Sequence, residues 1–198
     1  MNTAMQILTY ALLGVFAQNL IFTCGVGAER ALRIPRSLPR IFIASGAVMF
    51  FSWIAVSEMH LIRILSARVP FLQSVRVLAL VVLLAVVYLL VLAAVRRMST
   101  PVFVSLAEAL PSGVFNSVVM MAGISEQMLQ MPYTQAVGYA IGTGFGFLLA
   151  ALIVQNATEY IGNAAMPHAF AGLPALLIYI GILAMAFLGF AGGPTVFL

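Results

Sequence analysis

The sequence predicts an all-α integral membrane protein, organised as a single membrane domain over residues 1–198. Two observations carry this prediction: 64% of the 198 residues are hydrophobic, and only 7% are charged. A soluble domain has about 25% charged residues, and a short chain cannot bury so much apolar surface in water. The apolar runs are solid and lack the alternation of a membrane β-barrel. The composition therefore excludes a soluble enzyme and a secreted domain.

The apolar runs predict about six membrane-spanning helices of about 20 residues each. The clearest run is Val77–Val95, which has nineteen consecutive apolar residues and is followed by Arg96 and Arg97. Polar clusters separate the runs and set the predicted boundaries. The predicted helices cover residues 5–27, 39–58, 75–95, 101–124, 135–155 and 173–192.

The distribution of arginine predicts the orientation. The chain has nine basic residues, all arginine. Six lie in the first, third and fifth connections and three in or beside the second: Arg30, Arg33, Arg36, Arg40, Arg96 and Arg97 against Arg63, Arg68 and Arg76. Because the more basic side faces the cytoplasm, we expect a multi-pass protein of the cell (inner or plasma) membrane with both termini outside. Since this asymmetry accounts for the basic charge, we expect no nucleic-acid partner.

Two of the predicted helices are interrupted at corresponding places. Asn19 lies within the first helix, and Pro111 and Asn116 lie within the fourth. Each begins a half of three helices, at about 1–98 and 99–198, and an odd number of helices gives the halves opposite orientations. Paired interruptions in inverted repeats indicate a functional midplane. The alternative is that these residues only kink the helices.

Polar residues near these interruptions are the candidate site. The midplane candidates are Asn19, Asn116, Ser117, Glu29 and Glu108. A carboxylate inside the membrane is a functional candidate, although Glu108 lies near the headgroups if the fourth helix begins a turn later. We predict no catalytic residue and no metal site. His60 and His168 lie near helix ends, without a carboxylate or cysteine at metal-ligand spacing.

Glycines recur every fourth residue in the fifth helix, at Gly138, Gly142 and Gly146. Small residues at this spacing let two helix backbones approach closely. The sequence leaves open whether this stripe packs within the chain or against a partner.

Three segments resemble the small membrane subunits of the Rnf and Nqr complexes, namely the A and E subunits of Rnf and the D and E subunits of Nqr. The stretch from Asn19 to Glu29 resembles the family's first helix, and Leu110-Pro111 with Asn116-Ser117 resembles its Leu-Pro-x-x-x-x-Asn-Cys pattern. The segment Ala186–Gly192 resembles its closing Ala-Phe-Met-Gly-Phe-Ser-Gly. The resemblance covers most of the chain and is weakest in the second and third helices.

The resemblance implies paired subunits that hold a two-iron, two-sulfur (2Fe-2S) cluster near mid-bilayer, with one cysteine from each half of each subunit. It also implies electron transfer coupled to cation translocation. Here, however, Glu29 and Ser117 occupy the two cluster positions, and the single cysteine, Cys24, falls five residues early. Iron–sulfur clusters need thiolates. We therefore expect no cofactor in this chain alone.

Three functions remain open at this stage. The first is a divergent membrane subunit of an Rnf/Nqr-like ion-translocating electron-transport complex. The alternative is a small inverted-repeat transporter or channel-like protein without redox chemistry, and the third is a scaffold subunit. In each case the lipid membrane surrounds the chain. The resemblance implies a homo- or hetero-oligomer with a related membrane subunit.

Overall fold

The computed structural model describes residues 2–33, 37–97, 110–111, 113–161 and 172–191. Helices make up most of this part. The first predicted helix is a series of short pieces, and the later ones are long. The elements are α1 (Thr3–Leu12), a π-helical turn (Leu13–Ala17), α2 (Leu20–Cys24), α3 (Ala28–Arg33), α4 (Leu38–Ser66), α5 (Pro70–Ser74), α6 (Arg76–Val95), α7 (Ser117–Met128), α8 (Tyr133–Ile161) and α9 (Leu173–Ala191).

Three of the described helices are long and apolar enough to cross a membrane: Leu38–Ser66, Arg76–Val95 and Tyr133–Thr158. Shorter apolar helices occupy Thr3–Ala17, Ser117–Glu126 and Pro174–Gly189. At about 1.5 Å per residue, α4 is about 43 Å long, which exceeds the hydrocarbon core of about 30 Å. These helices confirm the all-α membrane fold that the sequence predicts. The number of six spans remains a prediction.

The glycine stripe packs inside the chain, where it brings α1 and α8 together in parallel. Gly138 lies against the Ile7 backbone, and Gly142 lies against the Ala11 carbonyl, one turn further along both helices. A methyl group at either glycine would collide with the α1 backbone. This close approach requires residues without a side chain. The structure thus resolves the question that the sequence left open about the stripe.

The other long helices alternate in direction. α4 runs antiparallel to α8, because Met49 packs on Gly144 while Ser57, further along α4, contacts Tyr133 at the start of α8. α4 runs parallel to α7, because Ala55 lies beside Gly123 and His60 contacts Glu126. α6 runs antiparallel to α7: Leu80 contacts Gly123, and Tyr88 stacks edge-on against Phe115 just before α7.

Several predicted boundaries differ from the observed ones. The helix predicted at 39–58 continues to Ser66, and the helix predicted to end at 124 continues to Met128. The helix predicted at 5–27 is broken after Ala17. Residues 101–109 lie outside the described residues. The sequence predicts that the second and fourth helices end before Arg63 and Glu126. In the structure both residues lie within the helices, Arg63 in α4 and Glu126 in α7, and their side chains pair with each other.

Candidate functional site

Asn19 forms the break in the first helix. It is 1% exposed and caps α2, because its Oδ1 accepts hydrogen bonds from the backbone N–H groups of Ile21 at 3.1 Å and Phe22 at 3.3 Å. The first N–H groups of a helix have no partner within the helix, and an asparagine cap supplies one. The cap allows the chain to restart a helix inside the protein.

The amide nitrogen of Asn19 joins the break to the rest of the fold. Its Nδ2 donates to the Val15 carbonyl at 2.9 Å and to the Gly146 carbonyl on α8 at 3.2 Å. The side chain therefore pairs backbone groups at the break and also attaches the break to the interior of α8. Such groups are costly to leave unpaired in a medium without water.

Asn116 performs the same capping role before α7. It is fully buried, and its Oδ1 accepts from the Val118 N–H at 3.0 Å. Its own carbonyl accepts from the Val119 N–H at 3.0 Å. Unlike Asn19, its Nδ2 has no hydrogen-bond partner among the residues that the structure describes. This buried amide is a donor that the described fold leaves available.

The two breaks meet at Gly27. This residue has a φ of 82°, in the left-handed region. A methyl group here would lie 3.0 Å from Asn116 Oδ1 and would collide with the Val118 side chain. Gly27 therefore satisfies a backbone requirement and a close approach at once. The turn after the first break packs directly on the second break.

The two positions that the family resemblance assigns to a cluster flank this contact. Glu29 lies two residues after Gly27 in α3, and Ser117 follows Asn116 as the first residue of α7. Both side chains are exposed in the single chain. Glu108, the remaining midplane candidate, lies outside the described residues, as does His168.

The structure also contains a polar cluster that the sequence did not reveal, made of Glu126, His60 and Arg63 (the Glu126 cluster). Glu126 Oε1 lies 2.8 Å from His60 Nδ1 and 3.1 Å from an Arg63 guanidinium nitrogen. The Glu126 side chain is 0% exposed. The same arginine donates to the Met131 carbonyl at 3.1 Å. No carboxylate lies at metal-ligand spacing from His60 in the sequence, and the structure brings Glu126 to it from α7.

The sequence contains only a weak indication of the Glu126 cluster. His60 and Arg63 are three residues apart, so they share a helix face, but their carboxylate lies 66 positions further along the chain. Glu126 also lies beyond residue 124, where the sequence predicts the end of the fourth helix. Only the parallel packing of α4 and α7 brings the three side chains together.

Further contacts place several chain segments on one side of the protein. Ser57 contacts the Tyr133 hydroxyl at 3.2 Å, close to the Glu126 cluster. Thr134 donates to Gln6 Oε1 at 3.1 Å, which brings the start of α1 to the start of α8. The second and fourth connections and the N-terminal end of α1 therefore lie on the same side.

The fold and the site are those of a helical integral membrane protein in which two asparagine-capped breaks pack against each other. Residues 7–193 match the Rnf-Nqr subunit family of membrane proteins. The chain belongs to that family, as the resemblance in the sequence predicts.

Curated relatives are the A subunits of one kind of complex. The relative from Syntrophotalea carbinolica, in an ion-translocating oxidoreductase complex, is 30% identical over 76% of this chain and 72% of its own length. The relative of the same name from Aromatoleum aromaticum is 32% identical over 62% of this chain and 64% of its own length. The relative from Acetobacterium woodii belongs to a sodium-translocating ferredoxin:NAD(+) oxidoreductase complex. It is 22% identical over 90% of this chain and 93% of its own length.

The residues at the implied cluster positions do not fit an iron–sulfur cluster. Such clusters are held by cysteine thiolates, with histidine in one known class. Glu29 offers a carboxylate, Ser117 offers a hydroxyl, and the one thiol of the chain is on Cys24 in α2. The Cys24 Sγ lies 3.6 Å from the Thr23 hydroxyl and is half-buried. No group of three histidine, cysteine or acidic residues suited to a metal occurs within the described ranges.

Proposed function

We propose that this chain is a membrane subunit of an Rnf-type ion-translocating oxidoreductase complex in the cell membrane. The observation that carries the proposal is the family match over residues 7–193. It is supported by relatives named as the A subunits of such complexes, one of which aligns over 90% of this chain. In this role the chain binds lipid and a related membrane subunit. We propose no nucleic-acid partner.

The proposal includes six spans arranged as two inverted halves, about 1–98 and 99–198, with both termini outside. The helix contacts support it: the first helix lies parallel to the fifth (α1 and α8), and the second lies parallel to the fourth (α4 and α7). An inverted two-fold relation exchanges these two pairs. Asn19 and Asn116, which cap equivalent breaks, are separated by about half of the 198 residues.

Within the complex, we assign a polar, non-redox role to the place where the breaks meet. The buried Asn116 amide, the Glu29 carboxylate and the Ser117 hydroxyl lie on or beside this contact. Oxygen ligands suit hard cations and water rather than iron–sulfur clusters. With Asn19 and Glu108, these residues are the midplane candidates for binding water or a cation. An alternative is that these residues bind nothing and that their identities changed by neutral mutation after a redox role was lost.

One other function is favoured by a specific observation. The replacement of both cluster cysteines by Glu29 and Ser117 suits a small transporter or channel-like protein that keeps the inverted repeat without redox chemistry. Such a protein would act alone or as a homo-oligomer. An electron-transport role, by contrast, requires flavin- or iron-bearing neighbours.

Purification of the tagged chain from its native membranes distinguishes the two functions. The proposal predicts that subunits carrying flavin or iron–sulfur groups copurify in fixed stoichiometry and that the chain is not a free homo-oligomer. Recovery of the chain alone, together with ion or solute flux in vesicles containing only this chain, would replace the proposal with the transporter.

A further inference from the structure

We propose that Glu126 and His60 form a proton-binding site that exchanges one proton with water on the side of the second and fourth connections. The site lies at the junction of α4 and α7, away from the place where Gly27 meets Asn116. The proposal rests on side-chain geometry and does not depend on the proposed electron-transport function.

Glu126 is an incompletely paired carboxylate inside an apolar helix bundle. Its Oε1 has two polar neighbours, whereas its Oε2 is buried without a hydrogen-bond partner among the described residues. A buried charge that lacks full pairing is costly, and ionisable groups within membrane helices mark ion or proton pathways. A bound proton would remove the charge.

The contacts around His60 can be satisfied in two ways that differ by one proton. His60 Nδ1 lies 2.8 Å from Glu126 Oε1 and 2.9 Å from the Arg63 guanidinium. Arginine only donates hydrogen bonds. When Glu126 is ionised, Nδ1 carries the hydrogen and donates to Oε1. When Glu126 is protonated, Oε1 carries the hydrogen, and the Nδ1 lone pair accepts.

A balanced proton uptake follows from these two arrangements. A proton from water binds Nε2 of neutral His60, and the proton on Nδ1 then moves to Glu126 Oε1. The result is a neutral carboxylic acid and a neutral imidazole with its hydrogen on Nε2. One proton is bound, and no other reactant is needed. The His60 side chain is 21% exposed, so that it can link buried Glu126 to the exterior.

The surroundings favour a proton over a metal cation. The positive Arg63 guanidinium lies 3.1 Å from the same Glu126 oxygen, where it would repel a metal ion. Hard cations require several oxygen ligands, and no three metal-binding side chains come together in the described part of the chain. Nitrogen donors and one carboxylate are sufficient for a proton.

Water has a route to this site. Arg63 lines a pocket of about 300 Å³ at the ends of the helices, together with Ser66, Gln73, Arg76 and Gln130. The charged or titratable groups around the pair include Glu58, two residues before His60 on α4, Arg76 of α6, which lines the same pocket as Arg63, and Tyr133 of α8. The Tyr133 ring lies 5.3 Å from the His60 ring. Arg63 supplies positive charge beside the Glu126 carboxylate.

Infrared and nitrogen NMR titration of the full chain in lipid nanodiscs tests the proposal. The chain has two histidines, so a His168→Gln background leaves His60 as the only imidazole. We expect an infrared carboxylic-acid band to develop as the pH falls. As this band develops, His60 should change from a hydrogen on Nδ1 to a hydrogen on Nε2.

The variants make the assignment specific. Glu126→Gln should remove the band, and Glu58→Gln, which replaces the carboxylate two residues before His60 on α4, should retain it. If Glu126→Gln does not fold, His60→Gln serves instead and should shift the midpoint of the band by at least about tenfold in proton concentration, or one pH unit. A band that survives Glu126→Gln, an unchanged midpoint in His60→Gln, or displacement of the band by sodium would overturn the proposal.

Discussion

The Asn19 side chain donates to the Gly146 carbonyl at 3.2 Å across 127 positions of sequence. The bond attaches the break in the first helix to the helix that carries the glycine stripe. It explains why a polar residue and a glycine stand at these places in apolar segments: the asparagine replaces lost backbone hydrogen bonds, and the glycine allows its close approach.

Replacing Asn19 should destabilise the protein more than an ordinary polar substitution. Asn19→Ala removes a helix cap, which costs about 1 kcal/mol, and removes the hydrogen bonds from the amide to the Val15 and Gly146 carbonyls, at about 0.5–1.5 kcal/mol each. Thermal unfolding in detergent measures the loss. Thr9→Ala is the control, because Thr9 makes only an exposed hydrogen bond within α1. Equal stability of the two variants would contradict the role given to Asn19.

The glycine stripe can be tested with two valine substitutions. Gly142→Val should prevent stable folding, because the side chain would collide with the Ala11 backbone on α1. Gly181→Val is the matched control, since a Cβ atom there meets nothing within 4 Å. The yield of monodisperse protein in detergent measures both. Normal yield of Gly142→Val would show that α1 and α8 do not pack as described.

The contact between the breaks can be isolated by comparing two glycines with positive φ. Gly25 and Gly27 have φ of 68° and 82°, so alanine at either position costs about 1–2 kcal/mol from the backbone alone. Only at Gly27 would the methyl group also meet Val118 and Asn116. We therefore expect Gly27→Ala to lower the unfolding temperature more than Gly25→Ala. The reverse order would argue against contact between the two breaks.

Iron content tests the interpretation of the cluster positions. The chain purified alone and without oxygen should lack stoichiometric iron and acid-labile sulfide, because Glu29 and Ser117 occupy the expected cysteine positions. Cys24→Ser should leave that result unchanged. A near-stoichiometric cluster that disappears in Cys24→Ser would show that Cys24 is a ligand and that the motif has been misaligned.

Reporter fusions test the proposed orientation. A reporter that is active only outside the cytoplasm should work when fused to the C-terminus, because the six-to-three arginine asymmetry places the more basic side in the cytoplasm. A fusion after Arg97 should report the cytoplasm. Cytoplasmic activity of the C-terminal fusion would contradict the orientation and weaken the argument for inverted repeats.

The sequence predicts the helical membrane fold well because hydrophobicity alone determines it. It also places the breaks at Asn19 and near Asn116, since an asparagine or proline inside an apolar run has few roles other than capping or kinking. The Glu126 cluster could not be found in this way. His60 and Glu126 lie 66 positions apart, and only the packing of α4 on α7 shows that one partners the other.

Ion movement in membranes that lack this chain tests the central claim most directly. Membrane vesicles from a strain without the gene should lose ion translocation driven by the host's Rnf-type oxidoreductase, and the wild-type chain should restore it. Gly27→Ala should restore less than Gly25→Ala. Unchanged oxidoreductase-driven ion translocation in the absence of the chain would contradict the assignment of this protein to the complex.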